Sequence, residues 1–450
     1  MKLDHKRTVL VGLAFFSICA FWQMYDNIIP LILTHTFQLD ETVCGAIMAA
    51  DNVLALFLLP FFGALSDRTS TRIGRRMPFI LGGTACAVVL MNLLPLFDNG
   101  YAATGEKGKL VLFVVALGLL LVAMGTYRSP AVALMPDVTP KPLRSKANAV
   151  INLMGSAGGI IVLALGMVFA TASVSNSMMS YTGYFGVIAA LMLAALVVFM
   201  LTVREPEWAR EMQAQSVAAG VENAEEADHP NEGRKLSADE VKSLLLILLS
   251  IVLWFFGYNA VTSKYSVYAS NILHKDYNLT LIIAQAAAIA AYLPVGFIAG
   301  KIGRKKTILA GVVMLTVAFG VAGFLTADSP SALMNAMFAL AGIAWATINV
   351  NSFPMVVELA SGGDVGKYTG FYYTASMAAQ VATPMVSGLL MDKFGMHVLF
   401  PYAAVFTALA FVTMLFVKHG DSREMPKQTA AAGTENAGAI DNTVEELTND

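Results

Sequence analysis

Long apolar runs broken by short polar punctuation organise this chain from its start to about residue 418. A helix that crosses a bilayer needs about 20 predominantly apolar residues. Such runs fall at 8–36, 42–65, 77–97, 109–134, 147–171, 182–203, 243–265, 278–300, 307–326, 331–356, 367–391 and 397–418. Runs longer than the minimum fit helices that tilt. The short alternating segments of a membrane barrel are absent. The pattern predicts an all-α membrane protein of twelve transmembrane helices.

The longest polar stretch, 204–242, divides these spans six and six. Rich in Ala, Glu and Asn, it has little to bury and predicts a flexible linker with room for a short amphipathic helix. The expected organisation is a six-helix half over 1–203, the linker, a second half over 243–418 and a disordered tail over 419–450.

Composition excludes the main alternatives. Hydrophobic residues make up 57% of the 450 and charged residues only 13%, with a mean hydropathy of +0.65. Soluble domains carry about 25% charged residues, so a soluble enzyme is excluded. The net charge of -2 is uninformative, because the acids concentrate in the linker and tail. No basic run with interleaved aromatics suggests nucleic-acid binding. Cys19, Cys44 and Cys86 have no paired spacing, and the six histidines form no cluster, so neither disulfides nor a metal site are expected. No ATP-binding G-x-x-x-x-G-K-[ST] loop occurs. The first span has a basic start, but the polar Trp22-Gln23-Met24-Tyr25-Asp26-Asn27 stretch interrupts it and no cleavage site follows. It reads as a retained helix rather than a signal peptide.

Lysine and arginine set the orientation. Alternating sides along the twelve spans puts 23 of the 29 on the side of the N-terminus and five on the other, with Arg128 inside a span. By the positive-inside rule both termini are expected in the cytoplasm.

The halves echo each other. Gly63-Ala64-Leu65-Ser66-Asp67-Arg68 through Gly74-Arg75-Arg76 follows the second span, and Gly296 through Gly300-Lys301-Ile302-Gly303-Arg304-Lys305 follows the eighth. Pro136-Asp137 with Arg144 corresponds to Pro354 and Glu358 with Lys367 in the same way. Matching signals in two six-span halves suggest duplication around a midplane site. The spacing G-x-x-x-D-R-x-x-x-R-x-G-R-R resembles the signature of the major facilitator superfamily. Together with Arg128-Ser129-Pro130-Ala131, Leu134-Met135-Pro136-Asp137 and Arg144-Ser145-Lys146-Ala147-Asn148, it is similar to the sucrose-transporter branch and its glycoside-transporting relatives. The second copy departs, since Gly300 stands where the acid would be, which puts one gate contact of that loop in doubt.

Ionisable groups within a span are costly and are functional candidates by default. Three qualify: Asp26, Asp51 and Arg128. At a rise of 1.5 Å per residue, Asp26 lies roughly 15 Å and Asp51 about 14 Å from the outer ends of their spans, while Arg128 lies roughly 10 Å from the inner end of its own. A carboxylate that gains or loses an arginine neighbour can bind and release a proton, so these residues are candidates for proton coupling. The resemblance likewise implies an acid in span one and an arginine in span four, places that Asp26 and Arg128 occupy. The competing reading makes them structural groups, with Arg128 paired to Asp137.

For substrate binding the candidates are Gln23, Asn27, Asn52, Arg128, Asn259, Trp345, Asn349 and Gln380. Amides in hydrocarbon need partners, and interhelical bonding competes with ligand binding as their role. Trp22, Tyr25, Tyr127, Trp254, Tyr258, Tyr292, Tyr372 and Tyr373 add aromatic faces, which also serve as interface belts or core. Gly155-x-x-x-Gly159 and Gly296-x-x-x-Gly300 read as close helix packing. Gating candidates are Asp67, Arg68, Arg72, Arg75, Arg76, Asp137, Arg144 and Glu358. Topology alone explains cytoplasmic arginines; the resemblance implies that Asp67 is a breakable latch to a neighbouring helix, with Asp137–Arg144 and Glu358 as further latches.

The expected function is sugar import, a disaccharide or other glycoside, by proton symport through alternating access in the plasma membrane. No cofactor is expected; the coupling ion is H⁺, or Na⁺ in the nearest alternative. The partners expected are the sugar and the bilayer, and the chain is expected to be a monomer. An exporter of drugs or metabolites, a lipid-linked glycosyl transferase and a non-transporting sensor are the remaining alternatives.

Overall fold

The structure, a computed structural model, describes residues 2–39, 41–171, 180–220, 236–273, 278–360 and 364–421. Its elements are helices throughout these residues. The first half holds α1 (His5–Leu31), α2 (Glu41–Arg68), α3 (Met77–Thr104), α4 (Lys107–Asp137), α5 (Arg144–Val168) and α6 (Thr182–Thr202). A shorter α7 (Glu205–Ala218) follows. The second half holds α8 (Ala238–Tyr268), α9 (Asn278–Ile302), α10 (Arg304–Ala322), α11 (Ser331–Val357), α12 (Val365–Phe394) and α13 (Leu399–Leu415).

Eleven of the helices among the described residues are long and apolar enough to cross a membrane. The twelfth expected span, α12, has 30 residues but is diluted by Lys367, Tyr372, Tyr373, Ser376, Gln380, Thr383 and Ser387. Its polarity follows from its position, because α12 packs on α2 and α4 of the opposite half as well as on α8 of its own. The twelve-helix fold stands. The linker is not structureless: α7 is a helix with Trp208 buried against the first half, and 221–235 and 422–450 lie outside the described residues.

Local signals explain most boundaries. Asp4 caps α1, its carboxylate accepting from the Arg7 N–H at 3.1 Å. α1 runs into a π-helical turn, Ile32–Thr36, just after Pro30, which has no N–H to donate. Gly105 closes α3 at φ +66°. Within the first half α1 packs along α5 and α3 along α4. Gly155 meets Phe15 and Cys19, and a Cβ on Gly158 would run into the Phe16 carbonyl, so this stripe of small residues is close packing, as its spacing predicts.

Closest approaches between the halves cluster on the face that carries Asp4 and Asp421, here the terminal face. α2 meets α12 through Gly63 against Gly366 and Pro60 against Gly370. α5 meets α9 through Ala149 and Lys146 against Gly296, and α11 through Asn148, whose amide donates to the Asn349 and Val350 carbonyls at 3.2 and 2.8 Å. Near the far end of α1, Asp26 and Asn27 are exposed. The terminal side is closed.

Candidate functional site: a charged latch beneath a polar cavity

The latch is built around Arg76, whose side chain is fully buried at the start of α3. Its guanidinium donates to Asp67 Oδ1 at 2.5 Å, to Asp137 Oδ2 at 2.8 Å and to the Ser66 hydroxyl. Arg75 holds the other oxygen of Asp137 at 2.8 Å. Burial alone would lower the pKa of Arg76, but the Asp137 and Asp67 charges more than offset it and raise it, so Arg76 stays charged. Asp67 then crosses the interface: its oxygens accept from the Gly366 N–H at 2.9 Å and the Lys367 N–H at 2.7 Å. These are free N–H groups in the first turn of α12, where the helix dipole favours an anion.

α3 begins without a capping side chain of its own, since the N-cap position is Arg76. Glu205, the first residue of α7, fills the gap. Its carboxylate accepts from the N–H groups of Arg75 (2.9 Å), Arg76 (3.0 Å) and Met77 (3.1 Å). Gly74 at φ +123° lets it approach, because a Cβ there would occupy the carboxylate's place. Burial pushes the Glu205 pKa up, the Asp137 charge adds to that, and the Arg75 and Arg76 N–H groups pull the other way. Glu205→Ala is expected to strip two buried donors and one part-buried donor of their acceptor and lower stability by about 1–3 kcal/mol. Thermal unfolding in detergent measures this; a midpoint equal to wild type would refute the capping role.

The second half repeats the arrangement with changes. Arg304, at the start of α10, donates to Glu358 at 2.7 Å and, across the interface, to the Ser145 hydroxyl at 3.0 Å and the Lys141 carbonyl. Asp421 caps α10 as Glu205 caps α3, accepting from the Arg304 N–H at 2.6 Å. The acid missing at Gly300 is thus replaced by neutral oxygens from the opposite half.

One expected latch is wrong in its pairing. Arg144 does not pair with Asp137; it donates to the carbonyls of Pro136 (3.0 Å), Thr139 (3.3 Å) and, across the interface, Val357 (3.2 Å), with Glu358 at 3.7 Å. Asp137 is already held by Arg75 and Arg76, so Arg144 has no vacancy there. Arg68 and Arg72 are exposed and form no ion pair among the described residues.

Above the latch, Arg128 does not pair with Asp26, Asp51 or Asp137: among the described residues no ion pair holds it. Its guanidinium sits over Trp22 of α1 at 5.3 Å and over Tyr373 of α12 at 4.9 Å. Asp51 is half-buried, with one carboxylate oxygen buried and without a hydrogen-bond partner. A cavity of about 10 Å³ joins it to Trp22, Gly125 and Arg128, roughly the room one water needs. The remaining polar candidates scatter around this level. Asn27 turns back to the Gln23 carbonyl at 2.6 Å, Gln23 lies against Gly159, and Asn52 is half-buried. In the second half Trp345 stacks on Tyr258 at 3.8 Å with the rings 5° from parallel. Asn259, next to Tyr258, has a buried amide nitrogen without a partner. Asn349 lends its carbonyl to Asn148, and Gln380 turns to the Ser376 carbonyl at 3.4 Å. Sequence reasoning missed Glu205, Arg304 and Asp421 as latch residues.

Comparison with known proteins follows the same lines. The family profile of the Major Facilitator Superfamily matches residues 11–291 and 271–441. A sucrose transport protein of Arabidopsis thaliana is 30% identical over 173 residues, covering 35% of this chain and 28% of that protein. YagG of Escherichia coli, assigned as a glycoside/cation symporter, is 26% identical over 183 residues, 40% of this chain and 38% of its own. The matched stretches thus span well under half the length of these relatives. Among solved structures, the proton:xylose symporter XylE bound to 6-bromo-6-deoxy-D-glucose superposes with a TM-score of 0.66 at 16% identity, over 92% of this chain and 95% of that one. FucP in the outward conformation gives 0.67 at 15% identity, over 92% and 98%. At such identities the likeness is one of fold.

Proposed function

The chain belongs to the Major Facilitator Superfamily, whose members are membrane transporters rather than enzymes, and from that premise we propose that it imports a sugar by proton symport. The substrate is a disaccharide or other glycoside of the sucrose or maltose kind, and the halves give it access to each side of the membrane in turn. The terminal face is cytoplasmic, the membrane is the plasma membrane and the working unit is a monomer.

The observation that carries the reading is the unpaired set at mid-membrane depth: Asp26 exposed, Asp51 with an orphaned oxygen, and Arg128 nearby without a carboxylate. Charges left in this state are costly, and a function that needs them loose explains why they remain so. Proton binding suits them better than sodium. Na⁺ is a hard cation that wants several oxygen ligands, whereas the space beside Asp51 has room for about one water and is walled by Leu58, Leu59, Leu121 and a guanidinium. The Tyr258–Trp345 stack, an aromatic slab with the free amide of Asn259 beside it, suits the apolar face and hydroxyl edge of a sugar ring laid on its outer side. Gln23, Asn27, Asn52, Asn349 and Gln380 supply further polar edges. The sucrose and glycoside relatives support the substrate class.

Adding a panel of disaccharides to proteoliposomes in weak buffer tests this directly. One sugar should alkalinise the external medium. Sodium-dependent uptake without a pH change would move the assignment to Na⁺, and efflux of a dye in place of sugar uptake would make the protein an exporter. Asp26→Asn is expected to abolish uphill accumulation while leaving sugar exchange, because a fixed neutral group still binds but cannot take up or release a proton. Full accumulation in that variant would remove Asp26 from the coupling step.

A further inference from the structure

Arg128 is the one cation placed in a span by the sequence pattern, and it touches both halves of the protein. Trp22 belongs to the first half and Tyr373 to the second, and the guanidinium lies within 6 Å of both ring centres. Tyr373 is 7% exposed and is backed by Tyr372, whose ring centre is 5.5 Å away and whose hydroxyl lies 3.4 Å from that of Ser352 on α11. It is therefore a fixed platform, not a loose side chain. The titratable groups facing Arg128 are Cys19 and Asp26 from α1, Asp51 from α2, Tyr127 from α4 and the phenols of Tyr372 and Tyr373 from α12.

We propose that Tyr373 is a positioning residue that holds Arg128 across the interface whenever Asp26 and Asp51 leave it free, and so converts the state of those carboxylates into closure of the terminal side. The physical basis is competition for one cation. A guanidinium over an aromatic face is attracted by the ring quadrupole, an attraction weaker than that of a desolvated carboxylate. A protonated Asp26 or Asp51 offers no charge, and Arg128 stays on Tyr373. An ionised one draws the guanidinium toward the first half and removes a contact between α4 and α12. That contact ends on α12, the same helix whose first turn Asp67 of α2 holds to close the latch. The proposal rests on the coupling role given above to these carboxylates, and it assigns a residue of the second half to the step.

The test reads the distance between spin labels at Ser70 and Lys306, exposed positions on the terminal face of opposite halves. Pulsed dipolar spectroscopy of the full chain in nanodiscs needs neither sugar nor ion gradient. Tyr373→Leu is expected to raise the population with separated halves by roughly three- to ten-fold, the scale of one partly buried cation–π contact. Tyr373→Phe keeps the ring but loses the phenol's contact with Arg128, so it should shift the population less than Tyr373→Leu. Arg128→Gln should produce the same shift as Tyr373→Leu, and the double variant should add nothing further. Wild-type distances in Tyr373→Leu, or equal shifts in the Leu and Phe variants, would overturn the proposal. If the distances shift as expected but uptake proves sodium-driven, the positioning role stands and the proton assignment falls.

Discussion

Asp137→Ala is expected to destabilise the protein more than any other single change in the latch. Asp137 pairs with the guanidinium groups of both Arg75 and Arg76, and its side chain is 1% exposed. Removing it leaves the fully buried Arg76 guanidinium with Asp67 alone on its carboxylate side and takes from Arg75 its 2.8 Å carboxylate contact. Breaking a buried ion pair from one side costs about 3–5 kcal/mol, because the remaining charge is left in low dielectric. For a protein of this kind that is a large fraction of the total stability. The unfolding midpoint in detergent should collapse, with poor recovery of folded protein. Asp137→Asn keeps an acceptor for one arginine and should fall between. Asp67→Asn acts differently: it weakens the bonds to the Gly366 and Lys367 N–H groups, so it should slow the transport cycle while folding survives. An Asp137→Ala variant that melts with wild type would mean that Arg75 and Arg76 find other partners, and the network would need redrawing.

The membrane architecture was legible because it depends on bulk hydropathy, which each span carries independently. α12 was the hardest span to read for the reason that makes it interesting: Tyr372, Tyr373, Ser376 and Gln380 replace hydrocarbon where it faces the other half. Motif spacing placed Asp67, Arg75 and Arg76 in one loop, and in the structure Asp67 meets Arg76 while Asp137 joins Arg76 to Arg75. Spacing does not find the partners of Arg144, because closeness along the chain to Asp137 is not closeness in space. Between Asp137 and Arg144 the chain turns through Val138–Leu143, which aims the two side chains at different neighbours.

Glu205 was passed over for a different reason. It opens a stretch rich in acids, and acid-rich linkers usually stay in water. A usable signal was nevertheless present. Gly74-Arg75-Arg76-Met77-Pro78 starts a helix without any Ser, Thr, Asp or Asn to cap it, so an acceptor had to come from elsewhere. Glu205 follows the sixth span directly and precedes Pro206, a helix-starting position. The Arg128 cage could not have been read at all, since the depths of Arg128, Asp26 and Asp51 along their own helices do not say which way α12 presents Tyr373.

Gly366→Val is expected to have the largest effect on the transport cycle at little cost to folding. The first turn of α12 reaches α2 only because neither Gly63 nor Gly366 has a side chain. A Cβ on Gly366 would run into the Gly63 carbonyl and stand 2.6 Å from Arg76 Nη1 and 2.8 Å from Asp67 Oδ1. The backbone carbonyl cannot step aside as a flexible side chain could. Overpacking at such a contact costs about 1–3 kcal/mol. Here the halves have an alternative to unfolding, which is to separate on the terminal side. The cost therefore appears as a shift of roughly five- to 150-fold away from the closed terminal face. Separation also removes the Gly366 and Lys367 N–H groups from Asp67, so the latch is lost with the packing. Uphill uptake should fall by about ten-fold or more, while the unfolding midpoint stays near wild type. The label pair at Ser70 and Lys306 should report mainly the separated population. Gly388→Val is the control on the same helix, because nothing lies within 4 Å of where its Cβ would be. Similar uptake by both variants would show that the α2–α12 contact does not limit the cycle. A Gly366→Val protein that keeps the closed distance would show that α12 slides past α2 without opening the interface.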